Sequence, residues 1–261
     1  MVVITSDQRQ VIFDAVIAMY TNVALSPQQG YHFPTGRAAA EYVGYPPEHL
    51  DRLPAAAVES FAGVGYPFAA GVLRPGDTVL DIGSGSGTDL LVAALSVGAE
   101  GFVYGVDMTE AMRAKARANA RLAGADNVEV LEGNAENLPL GDGSVDAVTS
   151  NGVINLVPAK RKAIAEMYRV LRPGGWVQIA DIVVEDLPSE TCRAKPRLWA
   201  ECIVGATTQA DYLGMFTEAG FTDVERLGDL DYFAASSSAS TRATAGGFGA
   251  HTMVMRAHKP A

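Results

Sequence analysis

The sequence reads Thr78-Val79-Leu80-Asp81-Ile82-Gly83-Ser84-Gly85-Ser86-Gly87-Thr88 within its first half, and mostly aliphatic residues follow over positions 89–95. The β-branched and aliphatic residues around the acid predict a strand, and the residues after the last glycine predict a helix. Glycines at alternate positions suit a tight turn with left-handed backbone conformations. The segment therefore predicts a strand, a glycine turn and a helix N-terminus, a geometry that brings backbone N–H groups close to a ligand.

The spacing of the glycines and the position of the acids indicate the kind of ligand. The pattern is G-x-G-x-G, whereas a dinucleotide site has G-x-G-x-x-G, and this disfavours a dehydrogenase. Asp81 would repel a pyrophosphate but would attract a ligand that carries a positive amino group. S-adenosylmethionine (SAM) has such a group and no phosphate. The next predicted strand, residues 101–107, ends in Asp107, where a carboxylate can accept both hydroxyls of a ribose.

Composition excludes several classes of function. A formal net charge of −10 over 261 residues argues against a nucleic-acid partner and against an anionic membrane surface. No segment reaches the roughly 18 uninterrupted apolar residues of a membrane span, and the first ten residues do not resemble a targeting peptide. The two cysteines, Cys192 and Cys202, do not make a disulfide framework, and we expect no metal site. A cytoplasmic location is therefore the expectation.

Periodicity along the chain predicts two regions. Apolar residues at helical spacing predict an amphipathic helix over residues 8–24, followed by loops rich in proline, glycine and aromatic residues. We interpret residues 1–75 as an N-terminal helical cap and residues 76–261 as the ligand-binding domain, with a substrate-side insertion near residues 185–208. Strands and helices alternate from residue 76, which predicts a mostly parallel sheet whose ligands bind beyond the carboxyl ends of the strands. Residues 234–249, rich in Ser, Ala, Thr and Gly, predict a flexible loop.

Four segments together resemble the class I SAM-dependent methyltransferases. Residues 81–87 look like the first motif of that family and residues 105–109 like the second. Residues 133–139 look like its adenine-contacting loop, and residues 170–175 look like the turn before its fifth strand. The resemblance implies an α/β, Rossmann-like fold: a mostly parallel seven-stranded sheet with an antiparallel C-terminal hairpin and a helical N-terminal cap. It also implies SAM as the cofactor.

The resemblance assigns roles to residues of the predicted site. The glycine loop and Asp81 would hold the methionine end of SAM, and Asp107 would take the ribose hydroxyls. Met108 would pack on the adenine, whose edge Asn134 and Ala135 would contact; family members more often carry Asp at the position of Asn134. The full set implied for cofactor binding is Asp81, Gly83, Ser84, Gly85, Gly87, Asp107, Met108, Asn134, Ala135, Glu136 and Asn151.

Within this superfamily the chain bears a closer likeness to the arsenite methyltransferases and their relatives. Residues 150–156, 180–183 and 201–206 carry this likeness. Those enzymes hold trivalent arsenic through thiolates, which suit a soft centre. Cys202 matches one of their arsenic ligands, but Gly152 stands where they have a cysteine, and residues 1–75 contain none.

We therefore predict a SAM-dependent methyltransferase acting on a small molecule, arsenite methyltransferase-like, as a monomer or homodimer. Cys202 and His32 are the candidate catalytic residues. A second reading is methylation of an organic oxygen, carbon or sulfur nucleophile, with His32 as the base. A third is a SAM-binding module without catalysis. An inert buried thiol at Cys202 and a turn residue at His32 are equally compatible with the sequence.

Overall fold

The computed structural model describes residues 5–189, 199 and 203–261. Seven strands form one sheet in the order β3-β2-β1-β4-β5-β7-β6. Strands β1 to β5 pair in parallel, and β7 lies antiparallel to both β5 and β6. Their bounds are β1 Thr78–Ile82, β2 Phe102–Asp107, β3 Val128–Glu132, β4 Val145–Asn151, β5 Leu171–Val183, β6 Thr222–Leu230 and β7 His251–His258. This arrangement confirms the predicted α/β, Rossmann-like fold with its antiparallel C-terminal strands.

Helices connect and cover the strands. Within the described ranges they are α1 Ser6–Leu25, α2 Gly36–Tyr42, α3 Pro47–Leu50, α4 Ala55–Val58, α5 Thr88–Val97, α6 Glu110–Ala123, α7 Lys160–Val170, α8 Gln209–Glu218 and α9 Ala239–Phe248. Short 3₁₀ turns lie at Pro67–Ala70, Ile154–Leu156 and Tyr232–Ala235. The chain runs from β1 outward to β2 and β3 and then returns to place β4 on the other side of β1. A crevice forms at such a reversal, beyond the carboxyl ends of the strands.

Both faces of the sheet are buried along the central strands β1, β4 and β5, as a parallel sheet requires. On one face, Leu80 and Ile82 of β1 pack in a cluster with Met167 of α7 and Phe216 of α8. On the other face, Val79 packs with aliphatic residues of α5 and with Ala116 of α6. Successive side chains of β1 therefore point alternately into two separate apolar layers.

Helix α1 confirms the helix predicted over residues 8–24 and extends it at both ends. Thr5 begins it with a capping box, in which the Thr5 hydroxyl and the Gln8 side chain bond each other's backbone N–H groups. The buried residues Ile12 and Val16 pack in one cluster with Met112 of α6. Because this cluster joins the first 75 residues to the sheet, the division of the chain at residue 75 stays a prediction.

The prediction of a flexible loop over residues 234–249 is wrong, because most of that segment forms α9. The Ser238 hydroxyl caps the first turn by accepting a hydrogen bond from Thr241 N, and Gly249 ends the helix with a φ of 58°. Ala245 is buried against the rest of the core. Small residues with weak intrinsic preference thus form a helix because caps and packing stabilise it.

Two other predictions concern the insertion near residues 185–208 and the absence of a membrane span. Half of the insertion predicted near residues 185–208, including Cys192 and Cys202, lies outside the described residues. Within the part of the chain that the structure covers, no helix has the length and apolar character to cross a membrane.

Candidate functional site

A cavity lies in the crevice at the carboxyl ends of β1, β2 and β4, with about 1000 Å³ of empty space when the solvent at its mouth is included. The sheet side of its wall comes from the glycine loop, the end of β2, the loop after β3 and the end of β4. The cap side comes from α1 and from residues 60–63. The predicted cofactor residues Gly83, Ser84, Gly85, Asp107, Met108, Asn134, Ala135, Glu136 and Asn151 all line it.

The glycine loop turns sharply between β1 and α5. Gly83 and Gly85 have φ values of 74° and 52°, in the left-handed region that favours glycine. Gly83 N donates to Val106 O at 2.7 Å, which fastens the loop to β2. A side chain at Gly83 would also overlap Val153, whose Cβ would lie 3.3 Å from the added Cβ. Gly87, where α5 begins, is buried and is not among the lining residues.

Asp107 is fixed in orientation at the end of β2. Its Oδ1 accepts a hydrogen bond from Thr109 N at 2.7 Å, and its Oδ2 accepts one from Gly85 N at 2.9 Å. Burial raises the pKa of this carboxyl, while those two hydrogen bonds act to lower it. Each carboxylate oxygen can accept a further bond, so Asp107 could take two ribose hydroxyls as the sequence predicts.

Asp81 is buried, with 1% exposure, and is not among the residues that line the cavity. Burial raises the pKa of its carboxyl strongly, the negative charges of Asp89 and Asp107 raise it further, and a hydrogen bond from Leu90 N opposes them. The structure therefore does not bring Asp81 to the cavity wall, where the sequence prediction would have it meet the methionine end.

Asp89, which sequence reasoning missed, is the acid that reaches the wall near the β4 side. It lies in the first turn of α5. The Tyr45 hydroxyl donates to its Oδ1, and Asn151 Nδ2 donates to its Oδ2 at 3.0 Å. Burial raises the pKa of this carboxyl to about 6, although those two hydrogen bonds act to lower it. No motif in the sequence distinguishes Asp89 from an ordinary acid in the first turn of a helix.

Asn151 also joins the cap to the sheet. Its Oδ1 accepts hydrogen bonds from Val64 N at 2.8 Å and from Gly65 N at 3.2 Å, and its Nδ2 donates to Gly65 O at 2.9 Å. The cap segment around residue 64 is thereby held against the end of β4. Asn151 lines the cavity, and its described side-chain hydrogen bonds go to protein groups, so its contact with the cofactor stays a prediction.

Glu136 makes a similar link at the far side of the cavity. Its carboxylate forms an ion pair with Arg9 of α1, and its Oε1 accepts a hydrogen bond from Ala159 N at 3.0 Å. Asn134 Oδ1 accepts a bond from Glu136 N at 2.9 Å, which shapes the loop after β3. Glu136 therefore anchors α1 over this loop, with both carboxylate oxygens engaged by the protein.

Of the two candidate catalytic residues, His32 is described and does not reach the cavity. His32 is not among the lining residues; its ring meets the Phe33 ring edge-on at 4.7 Å between centroids. Cys202 lies outside the described residues. Gly152, at the position where the arsenite enzymes carry a cysteine, lines the wall with a φ of 72°, and a Cβ there would meet Val64 at 3.2 Å.

A family model described as a methyltransferase domain matches residues 73–220. The chain belongs to this methyltransferase family.

The chain is also similar to proteins named for arsenite methylation. It is 41% identical over 191 residues to an arsenite methyltransferase of Halobacterium salinarum, covering 73% of this chain and 49% of that protein. It is 37% identical over 195 residues to one of Aquipseudomonas alcaligenes, covering 66% of this chain and 56% of that protein. The crystal structure of an arsenic(III) S-adenosylmethionine methyltransferase from Chlamydomonas reinhardtii matches with a TM-score of 0.65 and 33% identity, over 87% of this chain and 75% of that one.

These similarities confirm the resemblance to class I SAM-dependent methyltransferases of the arsenite branch, with SAM as the methyl donor of the family. The chain spans about half the length of the curated relatives it matches.

The methyltransferase cavity fits SAM in its charge and in its apolar surface. Asp89, Asp107 and Glu136 line the wall, and among the described lining residues there is no Lys, Arg or His. Such a wall suits a cationic ligand and disfavours a phosphate. Met108, Leu156 and Val157 add apolar surface on which an adenine could pack.

Proposed function

We propose that this chain is a SAM-dependent methyltransferase that acts on a small molecule, with arsenite or a methylated arsenical as the acceptor. The observation that carries the first half of the proposal is the cavity: a glycine loop, an oriented Asp107 and no basic side chain in the described wall. Bound SAM supplies a methyl group on a positively charged sulfur. The acceptor must approach that methyl in line, and correct alignment can contribute up to about 7–11 kcal/mol to lowering the barrier.

The residues of the chain would hold the reactants and keep water away. Asp107 and the glycine loop would fix the adenosine and sulfur, and α1 would cover them through the Arg9–Glu136 ion pair. Phe13, Val16 and Tyr20 of α1 present apolar surface to the cavity. Asn151 would keep the cap segment around Val64 beside the end of β4, where an acceptor could reach the methyl group.

The arsenical acceptor is supported by the names of the similar proteins and by Cys202, which matches one of their arsenic ligands. A thiolate binds the soft As(III) centre, whose lone pair would attack the methyl carbon as the carbon–sulfur bond breaks. Cys202 would supply one thiolate, and an external thiol such as glutathione would supply the remaining ligands.

An organic nucleophile is the second candidate acceptor. In favour of it, the cap wall is aromatic and aliphatic, and Gly152 lines the cavity at the position where the arsenite enzymes carry a cysteine. His32, the base predicted for such a reaction, lies away from the lining residues, so this reading needs another base or an acceptor that is already ionised. The monomer or homodimer and the cytoplasmic location also remain proposals.

The test is methyl transfer from SAM to arsenite and to methylarsenite in the presence of glutathione. We expect product from the wild type and a large loss in Cys202→Ser, with Cys192→Ser as the matched control that retains activity. Isothermal titration calorimetry with SAM is run on the same preparations. SAM binding without an arsenical product would exclude the arsenical acceptor and leave an organic one or a non-catalytic module. Wild-type protein that does not bind SAM would refute the whole proposal.

A further inference from the structure

We propose that Asp89, held by Tyr45 and Asn151, binds the α-ammonium group of the methyl donor and makes the site select donors that retain their amino-acid end. The inference rests on the proposed function, because it concerns the same cavity. It replaces Asp81, the acid that the glycine motif points to, by an acid that the tertiary structure brings to the wall.

The topology of the sheet places Asp89 where the amino-acid end would lie. Strand β1 has β2 on one side and β4 on the other. Asp107 ends β2, whereas Asp89 is bonded to Asn151 at the end of β4. A ligand whose ribose meets Asp107 therefore crosses the glycine loop and brings its other end towards Asp89.

The other acids of the site are less suited to this contact. Asp81 is buried and does not line the cavity. Glu136 is engaged by Arg9 and by Ala159 N on the opposite side. Asp107 holds the glycine loop through Gly85 N. Among the described lining residues, Asp89 is the carboxylate that remains for a cation near β4.

The surroundings of Asp89 prepare it for a cation. It is 7% exposed, and its two described hydrogen-bond donors, the Tyr45 hydroxyl and the Asn151 amide, are neutral. Each carboxylate oxygen keeps a second acceptor position. A carboxylate in such a place lacks a compensating charge, and a bound ammonium group would supply it. Both donors fix the direction in which the remaining lone pairs point.

Tyr45 gives this contact a link to the cap. Its ring is fully buried among the rings of Phe61 and Tyr66, with centroid distances of 5.0 and 4.7 Å. The hydroxyl therefore reaches Asp89 from a rigid aromatic cluster. Tyr45 is a positioning residue here, since it orients the acid and is not among the residues that line the cavity.

The experiment compares two ligands on Asp89→Asn by isothermal titration calorimetry. S-adenosylhomocysteine carries the amino-acid end, and 5′-methylthioadenosine has the same adenosine and sulfur without it. We expect Asp89→Asn to bind S-adenosylhomocysteine on the order of tenfold to a hundredfold more weakly, as the loss of a bond to a charged group implies. Binding of 5′-methylthioadenosine should change by less than about twofold, because no contact to it is lost.

Two further variants keep the result interpretable. Tyr45→Phe leaves the carboxylate but removes one of its hydrogen-bond donors. It should therefore lower the affinity for S-adenosylhomocysteine by less than Asp89→Asn does, and it should leave the affinity for 5′-methylthioadenosine unchanged. Asp181→Asn is the matched control, because Asp181 is also a fully buried acid and does not line the cavity. It should leave the ratio of the two affinities unchanged.

The outcomes separate this inference from the proposed function. An equal loss for both ligands in Asp89→Asn would mean that Asp89 only maintains the fold, and no loss for either would place the ammonium elsewhere. Either result would overturn the inference while the wild type still binds the donor. Wild-type protein that binds neither ligand would overturn the proposed function and this inference together.

Discussion

Replacing Gly83 by alanine tests the geometry of the glycine loop most directly. Gly83 adopts a φ of 74°, and its N–H donates to Val106 O. A Cβ at this position would overlap a methyl group of Val153 and lie 3.2 Å from the other. Gly83→Ala therefore imposes two separate costs, one on the backbone and one on packing.

The size of each cost follows from the structure. A left-handed conformation costs a non-glycine residue about 1–2 kcal/mol, and an extra methyl forced into a packed site costs about 1–3 kcal/mol. We expect Gly83→Ala to lose about 2–5 kcal/mol of unfolding free energy as the sum of the two. Gly85→Ala is the matched control, because its φ is 52° but the nearest atom to an added Cβ is Gly83 O at 3.9 Å. It should lose only the backbone part.

A double-mutant cycle isolates the packing part. Urea unfolding is measured for the wild type, Gly83→Ala, Val153→Ala and the double variant. Removing the Val153 methyl groups relieves the overlap, so the double variant should be more stable than the sum of the single losses predicts, by about 1–3 kcal/mol. Calorimetric titration with SAM should show a weaker complex for Gly83→Ala, since the displaced loop lines the cavity through Gly83, Ser84 and Gly85.

Three results would refute this reasoning. Equal unfolding free energies for Gly83→Ala and Gly85→Ala would mean that Val153 does not limit the loop. Strict additivity in the cycle would mean that residues 83 and 153 do not touch. Unchanged SAM affinity in Gly83→Ala would remove this turn from the cofactor site.

Three further predictions concern the cap, the last helix and the buried acids. Arg9→Ala should lower the unfolding free energy by about 1–2 kcal/mol, because Glu136, which is 1% exposed, loses its partner. The loss is smaller than for a fully buried ion pair, because Arg9 is 37% exposed. The same variant should speed proteolysis of α1. Ser238→Ala should cost about 1 kcal/mol in urea unfolding, because α9 loses its N-cap bond. Burial raises the pKa values of Asp89 and Asp181 from 3.8 to about 6, so these groups stay protonated to a higher pH in the folded protein than in the unfolded chain. The stability that these groups contribute is present below pH 4 and is lost as the pH rises through about 6. Over that range the unfolding free energy of Asp89→Asn should therefore rise relative to that of the wild type.

Each of these has a control in the same region. Arg9→Lys keeps the charge and should retain part of the stability. Ser237→Ala changes an exposed neighbour of the cap and should be close to neutral. For the pH series, Asp7→Asn alters an exposed acid and should follow the wild-type profile. An Asp89→Asn profile parallel to the wild type between pH 4 and 6 would contradict the raised pKa of that carboxyl.

Local patterns predicted most of the fold. The strand before Gly83, the helix after Gly87 and the alternation beyond them appear in the structure within a few residues of the predicted bounds. The failure at residues 234–249 has a physical cause: α9 depends on the Ser238 cap and on the burial of Ala245, and neither produces a strong periodic pattern. Nine of the residues predicted for the cofactor line the cavity, because their motifs end the strands that meet there.

The sequence by itself determined the strand, the glycine turn, the helix and the two acids at successive strand ends, because each of these depends on residues that are neighbours in the chain. Only the tertiary structure decided which acid faces the cavity: Asp81 is buried away from the wall, and Asp89 reaches it. The same holds for Tyr45, 44 residues from Asp89, and for Arg9, 127 residues from Glu136. Such pairs form only when helices and loops of the cap pack on the sheet, since the direction of a side chain and its distant partner are set by packing.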